Sequence, residues 1–424
     1  MARFGSLLAA MVTCLFGCRG APPPEPIESQ LALAVAALRE GNYEEGGELI
    51  AQARARDPRH PLVARWSAVV AEMLWREDEA IRELTAAIRL ARQAAAPEKL
   101  PALQGDLGDL LFQVGRWGES AAPLLAGAVA RDEVRRRAFA AIATTLPYAR
   151  RFAGPLVTEQ QLLPGDAPEF VCGTRDWLRP FAIDTGTSMT TVAASFAEEL
   201  GVRTRQDAGT ALDAAGKPLS IEIGQLPQFY VGSVDVGAVP VLVVADQALR
   251  LRDQHGGAER VPRGVLGLDL LSACRLTIDP ERGSVVLERP QKTPIDGAVQ
   301  CVQVDGRCLA PVFIEGQRLW FVLDTGASHS SLSETGVRDL AGAEERAVPS
   351  FRRVHTVGGG TVAVREVRGL VLRCSDARFL DVTLPVVPRG EGVLFPVHGV
   401  LGVDLLARCR VTLDRGRVHL LAVR

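Results

Sequence analysis

Two periodicities divide the chain. From residue 28 to about 150, apolar positions recur at helical spacing against a background of Ala, Leu, Arg and Glu. This predicts a run of amphipathic helices. The run also repeats. Arg39-Glu40-Gly41-Asn42-Tyr43-Glu44-Glu45-Gly46 has a counterpart in Gln113-Val114-Gly115-Arg116-Trp117-Gly118-Glu119-Ser120, and Trp75-Arg76-Glu77-Asp78-Glu79-Ala80-Ile81 lies between them. Trp75 follows Gly41 by 34 residues and Gly115 follows Trp75 by 40, the excess falling around Ala94-Ala95-Ala96-Pro97. After Tyr148 the pattern shortens to alternating runs such as Thr361 to Val367 and Arg410 to Asp414, separated by Asp305-Gly306, Gly358-Gly359-Gly360 and Ala215-Gly216-Lys217. Many short strands between Gly turns predict a barrel or sandwich.

The strand-rich region carries one pattern twice. Phe181-Ala182-Ile183-Asp184-Thr185-Gly186-Thr187-Ser188 matches Phe321-Val322-Leu323-Asp324-Thr325-Gly326-Ala327-Ser328. Downstream, Gly264-Val265-Leu266-Gly267-Leu268-Asp269-Leu270-Leu271 matches Gly399-Val400-Leu401-Gly402-Val403-Asp404-Leu405-Leu406, and Cys274-Arg275-Leu276-Thr277-Ile278-Asp279 matches Cys409-Arg410-Val411-Thr412-Leu413-Asp414. The first Asp precedes the later one by 85 residues in one copy and 80 in the other. Two Asp-Thr-Gly triplets, each behind three apolar residues and each trailed by the same second motif, are not a chance pairing.

This arrangement resembles the aspartic protease superfamily, and in detail the bacterial retropepsin-like (gag-polyprotein-type) aspartyl proteases. The resemblance implies two mainly-β, acid-protease-like lobes, at 160–290 and 291–424, forming one bilobal unit. It also implies one catalytic aspartate from each lobe, Asp184 and Asp324. Two carboxylates about 3 Å apart cannot both ionise and so share a proton. The ionised partner takes a proton from water while the protonated one stabilises the forming diol. One carboxyl should then titrate high, which favours acidic to mildly acidic working conditions. Gly186 and Gly326 permit tight turns. Thr185 and Thr325 are, by the resemblance, the hydroxyls that bond across the lobe junction. Thr187 offers a hydroxyl to Asp184 where Ala327 offers none to Asp324, which predicts unequal roles for the two aspartates. Gly267 with Asp269 and Gly402 with Asp404 form a structural second motif, the aspartates standing where an N-cap would. Retroviral relatives carry Arg just before this Asp; Leu268 and Val403 stand there instead, which suits lobes tied in one chain. Hairpins at Leu212–Leu219 and Val354–Val362 are expected over the cleft. His355 and His329 read as incidental.

The helical run resembles tetratricopeptide repeats, with about three units, Asp57-Pro58 closing the first, and Gly46 and Ser120 where Ala is usual. A protein partner at these repeats is one expectation; a plain helical spacer is the other. At the start of the chain, Arg3 precedes an apolar run from Leu7 to Gly17, too short to span a bilayer. It ends Leu15-Phe16-Gly17-Cys18, similar to a bacterial lipobox. That implies a signal peptide over 1–17, lipidation at Cys18, a Pro-rich spacer over 18–27, and an exported chain held at the cell envelope by its lipid alone.

Composition narrows the rest. Of 424 residues, 47% are hydrophobic, 23% charged and 5% aromatic, with formal net charge −2. No basic field suits nucleic acid. Six cysteines remain beyond the N-terminus, namely Cys172, Cys274, Cys301, Cys308, Cys374 and Cys409; none has CxxC spacing, and with 6 His in the chain no zinc site is expected. Disulfides and buried free thiols both fit. No cofactor or metal is expected. The function expected is aspartic endopeptidase action on a protein or peptide substrate. The rival is a catalytically silent peptide-binding or scaffold lipoprotein, and a further rival pairs lobes between chains.

Overall fold

The computed structural model describes residues 26–128, 133–150, 152, 156–162, 168–212, 218–249, 263–293, 295–355, 361–387 and 394–423. The signal peptide, Cys18, most of the Pro-rich spacer and the tips of both expected cleft hairpins lie outside them.

Among the described residues, seven α-helices come first: α1 (Ile27–Arg39), α2 (Tyr43–Arg56), α3 (Pro61–Met73), α4 (Glu77–Gln93), α5 (Leu100–Gln113), α6 (Trp117–Ala126) and α7 (Glu133–Ala143). Consecutive helices pack on one another throughout. The turns after α1, α3 and α5 each hold one residue in the left-handed region, Gly41 (φ 80°), Trp75 (φ 60°) and Gly115 (φ 79°). A left-handed residue there closes the last helical turn and redirects the chain.

The strands build one topology twice. In the first copy, β1 (Val157–Gln161), β2 (Glu169–Thr174), β3 (Trp177–Ile183) and β4 (Thr191–Ala193) lead to α8 (Ala194–Glu199). Then come β5 (Arg203–Leu212), β6 (Pro218–Val231), β7 (Val234–Val244), β8 (Gly264–Leu266), α9 (Leu268–Leu271), β9 (Arg275–Asp279) and β10 (Ser284–Glu288). The second copy runs β11 (Val299–Gln300), β12 (Val302–Val304), β13 (Arg307–Ile314), β14 (Gln317–Leu323), β15 (Ser331–Ser333), α10 (Glu334–Asp339) and α11 (Ala343–Arg346). It continues with β16 (Ala347–His355), β17 (Thr361–Cys374), β18 (Ala377–Val387), β19 (Gly399–Leu401), α12 (Val403–Leu406), β20 (Cys409–Asp414) and β21 (Arg417–Ala422).

The first lobe's sheet has the order β2-β3-β8-β4-β7-β6-β5, and the second has β13-β14-β19-β15-β18-β17-β16 with β12 added at its edge. The strand before each Asp-Thr-Gly pairs in parallel with the short strand of the second motif, in the same register. Phe181, Ala182 and Ile183 oppose Gly264, Val265 and Leu266; Phe321, Val322 and Leu323 oppose Gly399, Val400 and Leu401. Strands buried on both faces read as continuous apolar runs, which is why Phe-Ala-Ile and Phe-Val-Leu do not alternate. The Gly at the head of each short strand is required by contact: a Cβ at Gly264 would fall on the Phe181 ring, and one at Gly399 on the Phe321 ring.

A third sheet, β1-β10-β9-β20-β21-β11, takes strands from both lobes. Its centre is β9 against β20, with Thr277 opposite Thr412 and their hydroxyls 3.5 Å apart. The seam between the copies is therefore continuous backbone hydrogen bonding within one chain.

The helical unit shares a core with the second lobe. Leu31, Leu38, Ile50, Val63 and Met73 pack with Val302, Leu309, Trp320, Val322 and Phe395. At the far end of the stack, α7 packs on β5 and β6, and the Gln225 amide donates to the Thr145 carbonyl at 2.8 Å. All six cysteines described are buried free thiols. Burial pushes the Cys274 and Cys374 thiols up to about 12.

Because one core spans helices and lobe, the protein should unfold as one unit. Leu38→Ala, at a fully buried position, should cost about 2–5 kcal/mol and lower a single thermal transition without splitting it. Calorimetry of the variant checks this; two separate transitions would contradict it.

Candidate active site

Each Asp-Thr-Gly turn hangs from the end of its parallel strand pair. The Asp184 amide donates to Leu266 O at 3.1 Å, and the Asp324 amide to Leu401 O at 3.1 Å. The turns meet across the lobe junction through their threonines. The Thr185 amide donates to Thr325 Oγ1 at 3.1 Å, and the Thr325 amide to Thr185 Oγ1 at 3.2 Å. Each hydroxyl then donates to the opposite strand, Thr185 Oγ1 to Leu323 O at 2.7 Å and Thr325 Oγ1 to Ile183 O at 2.6 Å. Both threonines are buried. The amide and hydroxyl of each threonine are satisfied by the other lobe, and a hydroxyl serving as donor and acceptor at once makes this possible.

The interlock brings the aspartates together. Asp184 Oδ1 accepts from the Gly186 amide at 2.7 Å, and the Thr187 amide, which donates to the Asp184 main-chain carbonyl at 3.4 Å, also bears on the carboxyl. Asp324 Oδ1 accepts from Gly326 at 3.0 Å and from Ala327 at 2.8 Å. The two carboxyls lie close enough for the Asp324 charge to act directly on Asp184. Each glycine is pressed against the carboxyl of the other lobe: a Cβ at Gly186 would land on Asp324, and one at Gly326 would lie 2.6 Å from Asp184 Cγ. Burial first, and the Asp324 charge second, hold the Asp184 carboxyl well above the usual carboxylate range, against the opposing pull of the Gly186 and Thr187 amides. One proton held between two carboxyls is the state this geometry favours.

Thr187 reaches Asp184 through its backbone N–H, as Ala327 reaches Asp324; among the described residues its hydroxyl makes no bond to Asp184. The asymmetry expected from the Thr187 hydroxyl is thus not how the turns differ.

The second-motif aspartates do not cap helices. The N-cap positions of α9 and α12 are Gly267 and Gly402, and Asp269 and Asp404 sit in the first turn. Their carboxylates reach back to the active turns. Asp269 Oδ1 accepts from the Thr190 amide at 2.8 Å and hydroxyl at 2.9 Å; Asp404 Oδ1 accepts from the Ser330 amide at 2.8 Å and hydroxyl at 2.6 Å. The same hydroxyls accept from Gly267 and Gly402, at 3.2 and 2.9 Å. Only glycine fits at 267 and 402, since a Cβ would meet the backbone of Met189 or His329. Thr190 and Ser330 are site residues that the motif reading passed over. The signal was present: both follow their Asp by six positions.

Burial raises Asp269 to about 6, opposed by the Thr190 donors and by the positive charge of Arg150, which follows the last helix. His329 is exposed. The His355 side chain lies outside what is described, as do the hairpin tips over 213–217 and 356–360. Among the described residues no group of three or more His, Cys, Asp or Glu is placed to hold a metal ion.

Two segments of the chain, residues 178–270 and 310–405, each match the sequence model of the family described as Aspartyl protease. Together they cover less than half of the chain, one in each lobe, and each contains an Asp-Thr-Gly turn and its second motif. No curated protein matches the chain. Solved structures similar to it include the following two. Basic 7S globulin from soybean is 12% identical over 64% of this chain and 94% of its own, with a TM-score of 0.36. The aspartic proteinase from Irpex lacteus is 10% identical over 63% of this chain and 97% of its own, with a TM-score of 0.37.

Two outcomes follow. Thr325→Ala leaves the Thr185 amide without its acceptor and should cost about 1–3 kcal/mol, read by denaturant unfolding; no loss would contradict the interlock. Asp269 keeps its proton in the folded state to about 6 but loses it near 3.8 when unfolded. Below the lower value its contribution is fully present, and it fades as pH rises through the higher one. Stability should fall by an amount on the order of 3 kcal/mol over that window, and Asp269→Asn should flatten the slope. Unfolding midpoints from pH 3 to 7 decide it; an unchanged slope in the variant would contradict the assignment.

Proposed function

We propose that the chain is an aspartic endopeptidase with Asp184 and Asp324 as its catalytic pair. The observation that carries this reading is the facing of the two carboxyls across the threonine interlock, with Asp184 held well above its ordinary range. The family match over both lobes supports it. Peptide hydrolysis without a covalent intermediate needs a base for water and an acid for the carbonyl oxygen at the same moment. A carboxyl pair with one proton supplies both. Water loses a proton to the ionised carboxylate as its oxygen attacks the peptide carbon. The protonated carboxyl donates to the carbonyl oxygen, giving a neutral diol. As the C–N bond breaks, the protonated carboxyl donates to the departing amine and a diol hydroxyl gives its proton to the other carboxylate, so the pair again holds one proton.

The turn amides from Gly186, Thr187, Gly326 and Ala327 fix both carboxyls in place before substrate arrives, so little reorganisation accompanies the reaction. Pairing within one chain fits this reading, since β9 and β20 join the lobes directly. The substrate is a protein or peptide. Export and lipid anchoring through Cys18 belong to the same proposal and place that substrate at the cell envelope.

Residues 19–424 incubated with a mixed peptide pool from pH 3 to 7 test the reading, with products identified by mass spectrometry. The parent should cleave on the acid side, with activity falling as rising pH removes the shared proton. Asp184→Asn and Asp324→Asn should each lose at least about 100-fold. Cleavage that survives in either single variant would rule out one shared pair. A folded parent silent at every pH would favour the peptide-binding alternative.

A further inference from the structure

Trp320 stands four residues before Asp324, on β14. It is 2% exposed although it lies on the outer face of the second lobe, because the helical unit covers it. Its Nε1–H donates to the Gly41 carbonyl at 3.0 Å. Its ring meets Tyr43 edge-on at 5.7 Å and Phe395 at 5.3 Å. The Arg318 guanidinium lies 5.4 Å from the ring and pairs with Glu44 of α2 at 2.9 Å. Gly41 is glycine for two reasons: its φ is +80°, and a Cβ would lie 2.8 Å from Trp320 Nε1.

The backbone of Trp320 is held as firmly as its ring. Its N–H donates to His398 Nδ1 at 2.9 Å, and the His398 N–H donates to Trp320 O at 2.8 Å. His398 Nε2 in turn meets Asp339 at 3.2 Å. Trp320 and His398 thus open the parallel ladder of β14 with β19, and that ladder ends where the Asp324 amide meets Leu401 O. In the first lobe the equivalent places are Pro180 and Arg263. Pro180 offers no N–H and no ring donor, and among the described residues no helix of the helical unit packs on β3 as α1 and α2 pack around Trp320.

We propose that Trp320 is a positioning residue for Asp324, clamped from the helical unit by the Gly41 carbonyl. This rests on the reading of Asp324 as catalytic. The clamp makes the two aspartates unequal: the strand that carries Asp324 is bonded to the helical unit through Trp320 and Gly41, a bond with no counterpart at Pro180. The repeat turn at Gly41 is consumed in this contact and is not open to a separate protein.

The test uses the full chain carrying Trp320→Phe, which keeps an aromatic ring and removes the donor, and Gly41→Ala, which displaces the indole. Amide hydrogen exchange is followed at 321–327 and 181–187, and cleavage is measured alongside. Exchange at 321–327 should quicken about tenfold or more in both variants, while 181–187 stays within about twofold and reports that the protein is folded. kcat should drop about tenfold with KM within about twofold, since the loss is of catalytic geometry rather than binding. Unchanged exchange at 321–327 would overturn the proposal. So would equal loosening of both turns, which marks general destabilisation. If the parent does not cleave, the protease reading fails on that result, and the exchange comparison still decides the clamp.

Discussion

Two buried threonine hydroxyls constrain the rest of the molecule. Thr185 and Thr325 each accept an N–H and each donate to a carbonyl, and all four partners belong to the other lobe. Neither lobe alone can satisfy them, and an unsatisfied buried polar group costs about as much as a whole hydrogen bond contributes. The lobes must therefore close on each other in one orientation. That orientation sets the aspartates face to face, presses Gly186 and Gly326 onto the opposite carboxyls, and leaves room for one negative charge rather than two. The shared sheet through β9 and β20 adds backbone pairing between the lobes, and because both lobes belong to one chain, closure needs no second molecule.

Around this junction the two copies share topology and register but not surroundings. Asp269 and Asp404 do one job in both, fastening the end of the active turn through Thr190 and Ser330. The environments then diverge. Asp269 lies near the Arg150 charge at the exit of the helices. The second lobe instead buries its outer face under α1 to α3, with Trp320 at the centre of the contact. The duplicated module has become asymmetric because different helices cover its two copies, while each turn kept a glycine amide on its aspartate.

Much of this was readable from residues. The pairing of each apolar triplet with its later Gly-apolar-apolar segment appears in the structure as two parallel ladders of identical register, because strands buried on both faces must be apolar throughout. Asp184, Thr185, Gly186 and their second-copy counterparts lie together at one point. What sequence missed had distant partners. The Asp269 carboxylate looked like a cap because a short helix begins there, yet its partner Thr190 stands 79 residues earlier, and Gly267 takes the capping place. The Thr187 hydroxyl looked like the source of asymmetry because side chains are visible in a sequence, whereas the amide that does the bonding is common to every residue. Trp320 looked like one strand residue among several, since its partner carbonyl is 279 positions away. Cysteine spacing left disulfides and thiols open, and the six described cysteines are free thiols in the structure.

The central claim is that Asp184 and Asp324 hold one proton between them within a single chain. Carboxyl-carbon NMR of the aspartate-labelled protein, assigned with the two single Asp→Asn variants and followed from pH 2 to 8, measures this directly. The account predicts one carboxyl of the pair retaining its proton well above the ordinary aspartate range, and that elevation falling in Asp184 when Asp324 is replaced. Two independent titrations near ordinary aspartate values, each indifferent to replacement of the other, would contradict it.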